Sequence, residues 1–230
     1  MTPDVHRNSE ICNALKGWDS PTVSNAVELL QKRDRTTGFA SSEVRCLYPE
    51  LPPMVGYAVT CTIDSSTPGG QRASKIGDLI DLLARAPQPS VVVAQHKGPD
   101  RMRSCFVGDL SATLYHHLGA VGVVSDTPSR DVAMIQERVP GFQVFGPGTV
   151  ASHGNGAVLE VDVPVVIGGL QVEPGDLLHG DLNGLLSIPA EATPDILAMC
   201  EEVRRAEQSI FELLALEPLP VSELKTRFTH

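Results

Sequence analysis

The stretch SVVVAQHKGPDRMRSCFVGDLSATLYHHLGAVGVVSDTPSRDVAMIQERVPGFQVF, residues 90–145, decides the fold of this chain. Short apolar runs alternate in it with longer segments whose apolar residues recur every three to four positions. This alternation predicts strands over residues 90–95, 120–125 and 142–145, and helices over residues 108–118 and 129–138. Strands separated by helices in this order run parallel, so the sequence indicates an α/β fold with crossover helices.

The chain before this stretch adds three further elements. Ser20 is read as the N-cap of a helix, because Pro21 then occupies the first helical position. Residues 34–53 carry no regular pattern. A run of small and β-branched residues predicts a strand over 55–63, and an apolar face at helical spacing predicts a helix over 73–85.

After Gly146 the sequence changes from alternating helices and strands to β structure. Residues 146–188 are rich in turn-forming residues and contain a strand pattern over 158–172, interrupted by proline and glycine. A last strand is predicted over 185–188. A long helix over 189–216 then closes the pattern.

Composition narrows the classes of function. The 230 residues are 42% apolar, which suffices for a core, and the net charge is −10 at pH 7. Such an acidic chain is a poor match for nucleic acid or an anionic membrane, so neither is expected as a partner. No apolar run approaches the ~18 residues of a membrane span. Dispersed cysteines without a CxxC pair disfavour disulfides and zinc, and they indicate a cytoplasmic protein.

Two junctions between a strand and the following helix carry residues suited to chemistry. At the first, the backbone amides of Gly108 to Ser111 lie at a predicted helix start, where amides bind anions. At the second, Arg130 and Asp131 fall in the predicted first turn of the next helix. A guanidinium clamps a carboxylate, and an aspartate holds Mg²⁺ or Mn²⁺. Asp109 is placed to orient a water molecule or to act as a base.

A plainer interpretation of the same residues stays open. An arginine–aspartate pair in a first helical turn is often an exposed surface feature, with the aspartate favoured by the helix dipole. His96, Lys97 and Arg101 could hold a second substrate carboxylate, although a solvated charged loop is favoured there.

Ordered motifs over roughly residues 20–205 resemble the RraA-like family, which includes the regulator of ribonuclease E activity A and the 4-hydroxy-4-methyl-2-oxoglutarate aldolases. The first group of motifs is Gly108-Asp109-Leu110, then GAVGVVSD at 119–126, then Arg130-Asp131. The later motifs are VPV at 163–165, Gly168-Gly169, VEPGD at 172–176, DLNG at 181–184 and Ile188-Pro189.

The resemblance implies a fold and an assembly. The fold would be a single swivelling β/β/α domain over residues 20–205, with an N-terminal extension over 1–19 and a C-terminal helix end and tail over 206–230. The assembly would be a homotrimer or a hexamer with sites between subunits. A neighbouring subunit would supply an acidic residue, for which Glu201, Glu202 and Glu207 are alternatives.

The resemblance also implies residue roles for the aldolase members. The backbone at Gly108, Asp109, Leu110 and Ser111 would bind the pyruvyl part of a 2-oxo acid, and Arg130 would contact its oxygens. Asp131 would be the direct ligand of a divalent cation, Mg²⁺ or Mn²⁺. Asp109 would also help to position a water molecule for proton transfer.

Two departures from the family pattern border this site. The chain has Asp126-Thr127 where the family commonly has Asp-Gly, and QHKG at 95–98 where the family often has an aspartate and glycines. These changes bear on the substrate more than on the metal.

The resemblance, together with the Arg130–Asp131 pair, which a purely structural protein would not need, favours a metal-dependent lyase. It would release pyruvate from a 4-hydroxy-2-oxo acid, with oxaloacetate decarboxylation as a side activity. The alternative is a non-catalytic protein that binds and inhibits a ribonuclease.

Overall fold

A computed structural model of the chain describes residues 5–68, 73–215 and 220–228. Its helices are α1 (Val5–Leu15), α2 (Ser20–Leu29), α3 (Ile76–Arg85), α4 (Asp109–His117), α5 (Val132–Arg138), α6 (Ile196–Leu214) and α7 (Val221–Phe228). Its strands are β1 (Arg45–Cys46), β2 (Met54–Asp64), β3 (Ser90–His96), β4 (Ala120–Ser125), β5 (Gln143–Gly146), β6 (Ala157–Val161), β7 (Val165–Ile167), β8 (Leu170–Val172), β9 (Leu177–Asp181) and β10 (Gly184–Ile188). A single 3₁₀ turn covers Arg101–Arg103.

One large mixed sheet organises the described residues. Its strand order is β1-β5-β4-β3-β2-β9-β10, and the four central strands β2 to β5 run parallel, as the alternation at residues 90–145 predicts. The long strand β2 pairs with β9 along its first half and with β6 along its second half, both antiparallel. β7 and β8 form a separate hairpin.

Both faces of the parallel strands are covered, which explains why these strands are apolar at nearly every position. Val92 and Val123 face a core formed with α3, α4 and α5. Their neighbours Val91 and Val124 face the opposite core, which includes residues of the β7–β8 hairpin. A third core joins α1, α2 and α6 to the β9–β10 pair.

Several boundaries and elements differ from the sequence prediction. The N-cap of α2 is Asp19 rather than Ser20, because the Asp19 carboxylate accepts the Thr22 amide at 2.9 Å. The Ser20 hydroxyl instead contacts Nδ1 of the buried His179 at 3.0 Å. The sequence analysis also did not identify helix α1, whose Cys12 and Leu15 are fully buried.

Candidate active site

Two loops meet at the carboxyl ends of the parallel strands and form the candidate site. The loop after β3 leads into α4, and the loop after β4 leads into α5. The Arg130 amide donates to the Val107 carbonyl at 3.0 Å, and the Ser129 amide donates to the Gly148 carbonyl at 2.9 Å. These bonds hold the second loop between the first loop and the segment after β5.

The same bonds hold Ser129 and Arg130 in the loop, outside helix α5. The prediction that Arg130 and Asp131 lie in the first turn of this helix is therefore wrong. The helix begins at Val132, so Arg130 and Asp131 precede it rather than lying in its first turn. Asp131 is the N-cap residue and adopts a left-handed backbone with φ 56° and ψ 30°. Thr127, where the family commonly has glycine, is fully buried, and its hydroxyl contacts the Ser125 hydroxyl at 2.8 Å. The departure from the family's Asp-Gly is therefore absorbed inside the protein.

Arg130 and Asp131 form an ion pair that remains open to solvent. Arg130 Nε donates to Asp131 Oδ2 at 2.8 Å, and each side chain is about one-third exposed, 33% and 31%. The hydrogen bond and the charge of the carboxylate raise the pKa of the Arg130 guanidinium. The pair presents a permanent cation and an anionic oxygen ligand side by side.

Gly108 brings the first junction into direct contact with this pair. A Cβ atom at this position would lie 2.8 Å from Asp131 Oδ2 and 3.3 Å from Arg130 Nε. The backbone of Gly108 is extended, with φ −133°, so the close approach rather than the dihedral angle requires glycine. The two junctions that the sequence singled out therefore form one site.

Hydrogen bonds determine which amides of Gly108–Ser111 can receive a ligand. The Gly108 amide donates to Ser111 Oγ at 3.0 Å, and the Leu110 amide donates to Asp109 Oδ1 at 2.8 Å. The amides of Asp109 and Ser111 lie in the first turn of α4, where a helix provides no carbonyl acceptor. These two amides are the ones suited to a ligand carboxylate.

Asp109 has a partner that the sequence analysis did not identify. Its Oδ2 accepts a hydrogen bond from Arg138 Nε at 2.8 Å, and its side chain is 26% exposed. Arg138 lies in the last turn of α5. A basic residue at a helix end is the only signal that sequence offers for such a contact, and it does not identify the partner.

The donor set suits one kind of metal ion. Among the described residues, no group of three or more histidine, cysteine, aspartate or glutamate side chains could hold a metal. Asp131 offers one carboxylate, whose Oδ2 already accepts from Arg130. Mg²⁺ is commonly held by one or two carboxylates with water and substrate completing its shell, so this arrangement fits Mg²⁺ and does not fit a structural zinc site.

A second polar cluster lies beside this site, with its aspartate and histidine closed to solvent, and we call it the buried cluster. It comprises Asp64, Ser66, His96 and Ser104. His96 Nε2 lies 2.8 Å from Ser104 Oγ, 3.3 Å from Ser66 Oγ and 3.7 Å from Asp64 Oδ1. His96 and Asp64 side chains are only 1% and 2% exposed. Burial lowers the pKa of His96, so the imidazole is neutral at pH 7 and its contact with Asp64 is not an ion pair.

The buried position of His96 corrects the expectation of a solvated loop at this residue. Lys97 is exposed, as expected, and Arg101 pairs with Glu43 at 3.3 Å on the surface. The His96 amide donates to Asp126 Oδ1 at 2.8 Å. Burial raises the pKa of Asp126. The histidine and this aspartate connect the ends of β3 and β4.

The three glutamates considered for an intersubunit role lie on α6, which packs against α2. Glu202 pairs with Arg205 at 3.1 Å, and Glu207 accepts from Asn25 at 3.3 Å. Glu201 is exposed. Arg130 and Asp131 follow β4, a strand that contributes to the other two cores, whereas α6 contributes to the third core. Within one subunit, the three glutamates and the candidate site therefore belong to different parts of the fold.

Over the part of the chain that the structure describes, no helix has the length and apolar character needed to cross a membrane.

A family model described as RraA-like, Aldolase/RraA, matches residues 9–186. The chain therefore belongs to the RraA-like family. Among curated proteins, it is 31% identical over 137 residues to an uncharacterized protein of Methanocaldococcus jannaschii, covering 59% of this chain and 64% of that protein. It is 26% identical over 132 residues to a protein of Halalkalibacterium halodurans that is provisionally named 4-hydroxy-4-methyl-2-oxoglutarate aldolase, covering 57% and 61%. The matched regions span less than two thirds of either relative's length.

Solved structures share the fold. An uncharacterized protein from Pseudomonas syringae pv. tomato is 19% identical, with a TM-score of 0.71 over 96% of this chain and 94% of that one. RraAS2 of Streptomyces coelicolor, described as an unusual member of the RNase ES inhibitor RraA protein family, is 22% identical. It has a TM-score of 0.68 over 86% of this chain and 94% of its own. The family thus includes both proteins named as aldolases and ribonuclease inhibitors.

Proposed function

We propose that this protein is a divalent-cation-dependent lyase that cleaves a 4-hydroxy-2-oxo acid and releases pyruvate. One observation carries the proposal: the solvent-open Arg130–Asp131 pair lies against Gly108 at the start of α4. This arrangement offers a cation, an anionic oxygen ligand and two helix-start amides to one small ligand. A 2-oxo acid has the matching groups, namely a carboxylate and an adjacent carbonyl oxygen.

The reaction breaks the bond between C3 and C4 of the substrate. The C4 hydroxyl loses its proton and becomes a carbonyl group, and the electron pair of the broken bond moves towards the 2-oxo oxygen. C3 then takes up a proton, which gives pyruvate and an aldehyde or ketone. Mg²⁺ or Mn²⁺ held by Asp131 would supply Lewis-acid polarisation of the 2-oxo group.

The remaining roles fall to side chains of the chain itself. Arg130 contacts the pyruvyl oxygens and stabilises the negative charge that develops there. The amides of Asp109 and Ser111 orient the substrate carboxylate. Asp109, fixed by Arg138, holds a water molecule that exchanges a proton with the substrate. Decarboxylation of oxaloacetate passes through the same pyruvate enolate and is expected as a side activity.

The proposal includes a homotrimer or a hexamer with the site between subunits. Leu110, beside the site, is 82% exposed, and an apolar side chain in this position would be covered by a neighbouring copy. Light scattering on the purified protein measures the assembly. A monomer at micromolar concentration would contradict this part of the proposal and leave the chemistry to be tested separately.

The experiment that tests the activity is pyruvate release, coupled to lactate dehydrogenase. The substrates are 4-hydroxy-4-methyl-2-oxoglutarate, 4-hydroxy-2-oxohexanoate and oxaloacetate, each with Mg²⁺, with Mn²⁺ and with EDTA. We expect cation-dependent release that is lost in Arg130→Ala and Asp131→Ala. Arg35→Ala removes an arginine from the exposed pair with Glu28 and serves as the matched control.

Pyruvate release at the same rate with EDTA as with Mg²⁺ or Mn²⁺ would overturn the proposal. Unchanged release in both Arg130→Ala and Asp131→Ala would also overturn it. No release from any substrate would favour the non-catalytic alternative. That alternative predicts that the protein lowers ribonuclease E turnover when the two proteins are mixed.

A further inference from the structure

A cavity of about 360 Å³ lies behind the first turns of α4. It is bordered by α3, α4, the end of β2 and the beginning of β6. Its volume is within the ~300–1,000 Å³ typical of pockets that hold small molecules. In such pockets a few polar groups in a mostly apolar wall fix the orientation of the ligand. The apolar part of this wall is formed by Ile63, Ile76, Phe106, Ala157 and Val158.

Most polar side chains in the wall are already bonded to the protein's own backbone. The hydroxyls of Ser65, Ser74 and Ser111 each accept a backbone amide at 3.0 Å. The Cys105 thiol donates to a backbone carbonyl at 3.3 Å. The Asp64 carboxylate accepts two backbone amides, at 2.9 and 3.1 Å. These bonds hold the loops around the cavity in place.

Tyr115 is the exception among the described residues that line the cavity. It is 2% exposed, and no described residue forms a hydrogen bond with its hydroxyl. Its ring stacks on that of Phe106, with centroids 5.8 Å apart, which fixes the ring in the wall. Burial raises the pKa of Tyr115, so the hydroxyl stays protonated at neutral pH and can donate. Because buried hydroxyls are nearly always hydrogen-bonded, we expect its partner inside the cavity.

Helix α4 connects Tyr115 to the candidate site. Tyr115 follows Ser111 by four residues, so the two lie on one face of the helix, about 6 Å apart along its axis. Long side chains on a helix lean towards its start, so the Tyr115 ring leans towards the turn of Ser111. The Ser111 amide is one of the two suited to the substrate carboxylate. A ligand held at this amide can extend into the cavity that both residues line.

We propose that Tyr115 is a specificity-determining residue of the candidate site, and that its hydroxyl donates a hydrogen bond to an oxygen atom in the distal part of the substrate. The inference rests on the proposed function and adds the residue that recognises the part leaving as an aldehyde or ketone. Carbonyl and carboxylate oxygens both accept such a bond. A distal part made of hydrocarbon alone displaces water from the hydroxyl and leaves it unpaired, which weakens binding.

The test measures the binding of three 2-oxo acids that differ in the distal group. 2-Oxoglutarate ends in a carboxylate, and its 5-methyl ester ends in an uncharged carbonyl group. 5-Methyl-2-oxohexanoate has two methyl groups in place of the carboxylate oxygens. None of the three has the 4-hydroxyl that cleavage requires. Calorimetry is performed with each, and with pyruvate, which has no distal group, on the full chain with Mg²⁺.

Tyr115→Phe removes the hydroxyl and keeps the ring. We expect it to weaken the binding of 2-oxoglutarate or its ester about fivefold, because one hydrogen bond is lost. The affinities for 5-methyl-2-oxohexanoate and pyruvate should stay within about twofold, since neither ligand bonds to the hydroxyl. The larger loss identifies the oxygen that the hydroxyl contacts. Tyr57→Phe, at a partly buried tyrosine of β2 outside this wall, is the matched control and should change none of the affinities.

The stability of Tyr115→Phe without ligand is a second measurement. Because the hydroxyl has no described protein partner, its removal should not lower Tm. A fall of more than about 2 °C would show that the hydroxyl is bonded within the protein, and it would overturn the inference.

The binding outcomes separate this inference from the proposed function. Suppose that pyruvate binding is lost in Arg130→Ala and that Tyr115→Phe affects the oxygen-bearing and hydrocarbon ligands equally. The role of Tyr115 is then overturned, its hydroxyl is bonded to water only, and the lyase stands. Pyruvate binding without binding of any longer ligand likewise overturns the role of Tyr115. Pyruvate binding that is absent, or that survives in Arg130→Ala, overturns the proposed site and this inference with it.

Discussion

The candidate site and the buried cluster lie at the ends of neighbouring strands, and both combine an aspartate with a nitrogen-containing side chain. They differ in access to solvent. The Arg130 and Asp131 side chains are 33% and 31% exposed, whereas those of His96 and Asp64 are 1% and 2% exposed. They also differ in how many hydrogen bonds the aspartate carboxylate already accepts. Asp64 accepts from two backbone amides and a hydroxyl, whereas Asp131 accepts from one arginine.

Burial and hydrogen bonding of the carboxylate therefore distinguish a cluster that can bind a ligand from one that stabilises the fold. A fully hydrogen-bonded and buried carboxylate has little capacity left for a ligand, and its bonds hold the chain in place. An exposed carboxylate with a single partner contributes little to stability and keeps its capacity to bind. The buried cluster therefore resembles a catalytic group in composition, but its geometry supports the strand ends on which the site stands.

The largest expected effect contrasts the two aspartates. Asp64→Ala should lower the free energy of unfolding by about 3–5 kcal/mol, because two amides and a hydroxyl lose their acceptor in a buried place. Asp131→Ala should change it by less than about 1 kcal/mol. Urea unfolding followed by circular dichroism measures both. Equal losses of stability in the two variants would remove the distinction between the clusters.

The next effect tests the close approach at Gly108. Gly108→Ala would place a methyl group 2.8 Å from Asp131 Oδ2 and displace the pair. We expect kcat/KM for pyruvate release to fall by about 100-fold, with little change in stability because the backbone is extended. Gly77→Ala is the matched control, since nothing lies within 4 Å of its added Cβ atom. A Gly108→Ala enzyme with normal activity would show that the two loops act separately.

The pH dependence of stability tests the neutral state of His96. Burial lowers its pKa from 6.5, so the unfolded chain takes up the proton first as the pH falls. Stability from this residue is complete above about pH 6.5 and decreases as the pH falls towards the folded-state pKa, with a slope of at most about 1.4 kcal/mol per pH unit.

His96→Gln should remove this part of the slope below about pH 6.5 in urea unfolding at a series of pH values. His117→Gln, at an exposed histidine, is the control. A slope that is unchanged in His96→Gln would contradict the account of a neutral buried imidazole. The buried His179, whose pKa burial also lowers, contributes in the same direction and remains present in both variants.

The smallest effect concerns the exposed pair between Asp109 and Arg138. Arg138→Ala should change the unfolding free energy by less than about 0.5 kcal/mol, because the Arg138 side chain is 53% exposed. If Arg138 fixes the Asp109 carboxylate, kcat should fall several-fold while KM stays the same, since the substrate carboxylate is bound elsewhere. A rise in KM alone would assign Arg138 to substrate binding instead.

Much of the fold could be predicted from sequence because it depends on local patterns. Strand β4 was predicted with its observed bounds, and strand β3 within one residue, since buried parallel strands read as short continuous apolar runs. Strand β9 was not identified, because its buried residues include the polar His179 and Asp181, which interrupt the continuous apolar run expected of a buried strand. Helix α1 carries few local signals, and its place depends on packing against β2 and the helices of the third core.

The sequence by itself determined the parallel α/β centre and brought Gly108, Arg130 and Asp131 to attention. Only the tertiary structure decided that these residues touch, and that Asp131 precedes its helix in a left-handed conformation. It also decided that His96 is buried. Periodicity and propensity act over a few neighbouring residues. The contacts that define the site join positions about 20 residues apart through backbone bonds to Val107 and Gly148, whose geometry exists only after the strands have paired.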